Sequence, residues 1–197
     1  HKEQFESLIN IYTENKLPNK ILFSGEKGIG KCTLAYHIVN YILSLSEENP
    51  YDTKNLQINS ENKSFKLVQN KSNPNFILID VSADKKNIDI DQIRNLILLL
   101  NKSSFNDKPR IVLIDNIELL NINSVNALLK ILEEPNDNIK KILPTLKSRC
   151  LNFKIQLNFN QSIDTVNKIL NNNIYDLLNI DLINHYNTPG QLFYLIN

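Results

Sequence analysis

The stretch Ile21–Thr33, ILFSGEKGIGKCT, constrains this chain more than any other. A short apolar run, Ile21 to Phe23, leads into Gly25-Glu26-Lys27-Gly28-Ile29-Gly30-Lys31, and an apolar-periodic segment follows at Leu34, Ala35, Ile38, Val39 and Ile42. This predicts strand, glycine-rich turn, helix, the setting in which G-x-x-x-x-G-K acts as a phosphate-binding loop. Glycines 25, 28 and 30 let the backbone curl so that its N–H groups face one anion, and the helix N-terminus adds partial positive charge there. Lys31 is expected to reach the outer phosphates. A plain glycine-rich turn bearing a surface lysine is the competing description, and the flanking strand and helix weigh against it.

One position departs from the pattern. After Gly30-Lys31 a Ser or Thr hydroxyl is wanted as a Mg²⁺ ligand, and Cys32 stands there with Thr33 one place later. Successive helix residues point about 100° apart, so Thr33 does not substitute. A thiol is a poor ligand for a hard cation that prefers oxygen. ATP is therefore a cofactor the loop is able to accept, with Mg²⁺ badly provided for.

Two further apolar runs, Phe76-Ile77-Leu78-Ile79-Asp80 and Arg110-Ile111-Val112-Leu113-Ile114-Asp115, predict buried parallel strands. The second ends in a carboxylate at the carboxyl edge of an open α/β sheet, where ligands sit. Asp115 alone would read as an ordinary strand-end acid; with a phosphate loop in the same chain it is a candidate nucleotide-site residue. Asn116 follows it, and an amide cannot take a proton from water as a carboxylate base would.

Helical spacing is expected over His1–Lys16, from the phosphate loop to about Leu45, over Ile88–Lys102 with Asp91 as cap, and over Asn123–Glu134, which Pro135 stops. Ser46–Asn75 is polar and reads as a long surface excursion with one short helix. Leu151–Ile155 alternates as a last strand, and Asn160–Asn197 is helical again.

Composition excludes several classes. The chain of 197 residues has 42% hydrophobic and 22% charged residues and a net charge of +1, so no bulk basic field announces nucleic acid. Two cysteines, Cys32 and Cys150, give neither a disulfide framework nor zinc spacing, in keeping with a reducing cytoplasm. No apolar run approaches membrane-spanning length.

Taken together, GEKGIGK, IDIDQIRNL, IVLIDNIELLNINSVNALLKILEEP and ILPTLKSRC resemble the clamp-loader branch of the AAA+ ATPases, and within it the delta-prime group of bacterial DNA polymerase III. The resemblance is strong over Leu17–Lys154 and weak in the helical tail. It implies an α/β P-loop NTPase domain with a parallel five-stranded sheet over residues 1–155, and a small all-helical lid domain over 156–197. Family members carry a third, collar domain that this sequence does not contain, which implies a longer protein. The implied partners are the other clamp-loader subunits in a hetero-pentamer, the sliding clamp and, through the complex, primer-template DNA, with no membrane.

The implied role is a stator with little or no ATPase of its own. Arg149, in the SRC triplet, would act as an arginine finger on a neighbouring subunit's ATP site; outside the motif it would read as a surface ion pair. The departures at Cys32 and Asn116 agree with a stator, as does the lack of an arginine at Gly190 or Gln191, near the start of the lid helix. An active motor subunit of the gamma/tau type is the alternative, and an unrelated kinase or transporter ATPase is a third. No zinc module is expected, since Ser46–Asn75 has no cysteine. Lys102, Lys108, Lys140, Lys141 and Lys147 are weak candidates for DNA contact. Finally, relatives place a strand between the helix ending at Pro135 and Ile142, yet only Asn136–Lys141 lies there, roughly ten residues short of a strand plus its turn. The expectation is a break in the sequence close to Asn138–Lys140.

Overall fold

A computed structural model describes residues 1–82, 85–102, 106–131 and 150–196 of the chain. The elements are α1 (Lys2–Thr13), β1 (Ile21–Ser24), α2 (Lys31–Ser44), α3 (Lys63–Gln69), β2 (Phe76–Ile79), α4 (Ile90–Leu100), β3 (Ile111–Ile114), α5 (Ile122–Ile131), β4 (Leu151–Lys154), α6 (Phe159–Leu170) and α7 (Pro189–Ile196). The class is α/β with parallel pairing, as expected. The chain divides into two compact units, one of residues His1–Leu34 with Leu151–Asn197 and one of Ala35–Cys150.

In the first unit β1 pairs in parallel with β4, Ile21 opposite Leu151 through Ser24 opposite Lys154. Leu151 N–H donates to Lys20 O and Ile155 N–H to Ser24 O, and Phe23 meets Phe153 edge-on with centroids 6.3 Å apart. The helical tail closes on its own small core of Ile163, Val166, Ile174 and Leu192. Asn158 and Gln161 cap α6 reciprocally, each side-chain oxygen accepting the other's backbone N–H at 2.9 Å.

In the second unit β2 pairs in parallel with β3, Phe76 opposite Ile111 through Ile79 opposite Ile114. Ile79, Ile88, Ile93, Leu96 and Leu128 form its core, so α4 and α5 each turn an apolar face inward. The cap of α4 is Asp89 rather than Asp91: the Gln92 side-chain oxygen accepts the Asp89 N–H, and the amide of the same side chain holds the Asp80 carbonyl at 2.9 Å. A Gln three residues after an Asp completes a capping box, which Asp91 cannot do.

The polar stretch Ser46–Asn75 is more firmly anchored than a surface excursion. Tyr51, Asn62 and Ser64 are buried in it. Glu47 accepts from Ser64 Oγ and from Lys108 Nζ at 3.0 Å, and Lys108 also donates to Leu43 O at 2.6 Å. Lys108 is thereby a structural cation, not an available contact for DNA phosphate. Burial pushes the Glu47 carboxyl up, but its bonds to Ser64 and Lys108 outweigh that and hold it below the usual range.

Candidate phosphate-binding site

The loop between β1 and α2 has the curl that its glycines predict. Gly28 sits at φ +81, where an L side chain is strained. Gly25 answers a different demand: a Cβ there would lie 2.4 Å from the Ile155 carbonyl oxygen, so β4 can follow β1 this closely only past a glycine. Gly30 closes the loop onto α2, its carbonyl accepting Leu34 N–H at 3.0 Å.

All five carbonyls from Gly25 to Ile29 are engaged. Lys31 Nζ donates to Gly25 O and Glu26 O, both at 2.8 Å. Thr188 Oγ1 donates to Lys27 O at 2.8 Å, and Gly190 N–H donates to Gly28 O at 2.9 Å. His1 Nε2 lies 2.6 Å from Ile29 O, and since a carbonyl only accepts, that nitrogen carries a proton. These bonds brace the curl of the loop through its carbonyls. Lys31 thus reaches back over the loop it follows.

Cys32 is half-buried at the second position of α2 and Thr33 is exposed at the third, so the hydroxyl does not take the thiol's place. The donor set supplied by this loop does not fit Mg²⁺. Among the described residues no group of three His, Cys, Asp or Glu side chains is placed to hold a metal ion.

Asp115 follows β3 in the second unit, its N–H donating to Ile79 O at 2.9 Å, so it ends the parallel pair beside Asp80. Asn116 joins the two acids. Its N–H donates to Asp115 Oδ1 at 2.9 Å and its side-chain amide donates to Asp80 Oδ1 at 3.0 Å. Asn116 adopts the left-handed conformation at φ +52, which Asn tolerates better than Glu. The amide is thus a built part of this strand edge.

Arg149, Lys140, Lys141, Lys147 and the suspected break near Asn138–Lys140 lie outside the described residues. Sequence reasoning missed His1, Thr188 and Asp80. For Thr188 the signal was available: Thr188-Pro189-Gly190-Gln191 is a capping box with Pro at the first helical position, and the Gln191 side chain does accept Thr188 N–H at 2.8 Å. In the sequence Gly190 stands out only as the lack of an arginine. In the structure its Cα packs on the loop, and an added Cβ would stand 2.7 Å from Gly28 Cα.

A family described as "DNA polymerase III, delta subunit" matches residues 1–159. The chain is 30% identical over 139 residues to subunit delta′ of DNA polymerase III from Pseudomonas aeruginosa, covering 66% of this chain and 40% of the relative. It is 27% identical over 181 residues to the delta′ subunit from Buchnera aphidicola subsp. Schizaphis graminum, covering 87% and 52% respectively. Subunit gamma/tau from Mycoplasma genitalium matches at 30% over 155 residues, 74% of this chain and 24% of the relative. The chain therefore spans about half or less of the length of these relatives.

Proposed function

The chain belongs to the DNA polymerase III delta-subunit family of clamp-loader proteins, and on that premise we propose that it serves as a stator-like subunit of the loader. The full protein assembles with other loader subunits into a hetero-pentamer in the cytoplasm and helps place the sliding clamp on primer-template DNA. Its residues 1–155 form the AAA+ domain with a five-stranded parallel sheet, and 156–197 form the lid. Arg149 serves as the finger for the neighbouring ATP site, stabilising charge on the transferred phosphoryl group. Residues Gly25 to Lys31, with Cys32, Thr33 and Asp115, hold nucleotide at most without productive metal.

The observation that carries the stator reading is Asn116. Where a hydrolytic site needs a carboxylate base there is an amide, and that amide is committed to Asp80. The similarity to gamma/tau subunits and the intact Lys31 favour the second reading, an ATP-hydrolysing motor. Steady-state ATPase measurement on the purified full-length protein, alone and in the reconstituted loader, separates them. The stator shows background turnover alone, while Arg149→Ala removes most of the partner-stimulated rate without disrupting assembly. Robust turnover by the unmodified protein alone would overturn the stator reading. Among the described residues no helix is long and apolar enough to cross a membrane.

A further inference from the structure

The second unit holds a groove of about 970 Å³ beside β2. Phe76, Ile77 and Leu78 all line it. Successive strand residues point to opposite faces, so a groove that meets three in a row runs along the strand's edge and not over one face. The other edge of β2 is occupied, since Asn75 O and Ile79 O accept Ile111 N–H and Asp115 N–H from the β3 side. Ladder-bonding residues alternate, so 75, 77 and 79 serve β3, while Phe76 and Leu78 turn their backbone groups to the edge that no strand pairs among the described residues. Phe76 N–H is taken by Asn73 O at 3.3 Å. Leu78, in the middle of the edge, remains 38% exposed.

Two observations indicate what completes this edge. The first is Asn40, which lines the groove and is only 4% exposed. Its Nδ2 donates to Asn62 Oδ1 at 3.2 Å, and Asn62 is fixed in turn by donating to Asn49 O and accepting from Phe65 N–H. Both amides are therefore oriented by their network, and Asn40 Oδ1 is left as a buried acceptor with no donor among the described residues. The second is charge. The groove is lined by Lys71, Lys102 and Arg110 against one carboxylate, Asp80, and neither Lys71 nor Lys102 makes an ion pair among the described residues.

We propose that this groove binds an acidic, extended segment of a partner protein as an added strand on β2. The segment's backbone pairs with the Leu78 N–H and C=O on the side of the groove that Asn40 lines, and its carboxylates face Lys71 and Lys102. Apolar side chains at alternate positions pack between α2 and α3, against Val39 and Phe65. This surface is independent of the stator reading.

The test uses a fluorescein-labelled heptapeptide of alternating Glu and Val with the full-length protein, and the same peptide with Lys for Glu as control. Saturable anisotropy is expected for the acidic peptide only, weakening with salt, with slowed hydrogen exchange at the Leu78 amide. Leu78→Pro removes the outward N–H at an edge position where proline is tolerated, and binding should fall at least tenfold. If that variant melts early, Lys71→Glu with Lys102→Glu carries the test, because it leaves the β2 backbone intact and should cost a similar factor. No saturable binding, equal binding of the lysine peptide, or binding that survives the charge reversals without exchange slowing overturns the proposal. So does a homodimer paired through β2 that excludes the peptide.

Discussion

Gly190→Ala tests how α7 is seated on the phosphate loop. The new Cβ would stand 2.7 Å from Gly28 Cα and 3.0 Å from Gly28 O, and both are backbone atoms that cannot rotate away. Either the loop or the helix start must move. Forcing a methyl group into a filled site costs on the order of 1–3 kcal/mol. Movement also strains or breaks the 2.9 Å bond from Gly190 N–H to Gly28 O and the 2.8 Å bond from Thr188 Oγ1 to Lys27 O. Each is worth roughly 1 kcal/mol net. If the bonds stretch rather than break, the sum is about 2–3 kcal/mol, or roughly 5–10 °C in Tm for a chain of this size. If α7 detaches alone, Tm changes little and the loss appears locally as faster hydrogen exchange at Gly190 and Leu192. Thermal denaturation and exchange are measured on one sample. An unchanged Tm with unchanged protection at Gly190 would refute the reasoning, since it would mean that helix and loop do not depend on this close approach. Gly190→Arg should show the same defect more strongly, because the seating of α7 excludes any side chain there.

Three other outcomes follow from the same geometry. Lys108→Met leaves Glu47, whose side chain is 12% exposed, without its cation and should destabilise by roughly 1–3 kcal/mol, with Glu47→Gln in the same chain restoring part of it, as urea melts will show. Because Glu47 is held below the ordinary carboxylate value in the fold, its contribution is present above that value and fades as pH falls through the lower folded one; Glu47→Gln should flatten the acid limb of a stability-against-pH profile. Asn116→Glu puts a carboxylate against Asp80 at a left-handed position, so it should lower stability by about 1–3 kcal/mol in thermal melts, and an unchanged melt would contradict the structural role given to the amide.

Much of the architecture was legible in local pattern. Ile21–Phe23, Phe76–Ile79 and Ile111–Ile114 announced themselves as unbroken apolar runs, and the helices carried a 3.6-residue stripe, because burial of one helix face imposes a period that the chain has to display. The phosphate loop was equally plain, since only glycines tolerate its turns and its close approach to Ile155. Motif chemistry and the resemblance by themselves point to the family that the chain belongs to. What the residues alone could not show were meetings between distant parts of the chain. Lys108 reads in sequence as a weak candidate for DNA contact, and in the fold it lies against Glu47, 61 positions away. Gly190 looked like an absent arginine until its Cα was found on Gly28, and Asn116 like an absent base until its amide was found on Asp80. Periodicity and motif spacing are properties of neighbours along the chain, and one sequence holds them in full. A contact across many residues depends on which side chains the packed elements bring within a few ångströms, and that was decided only when the chain folded.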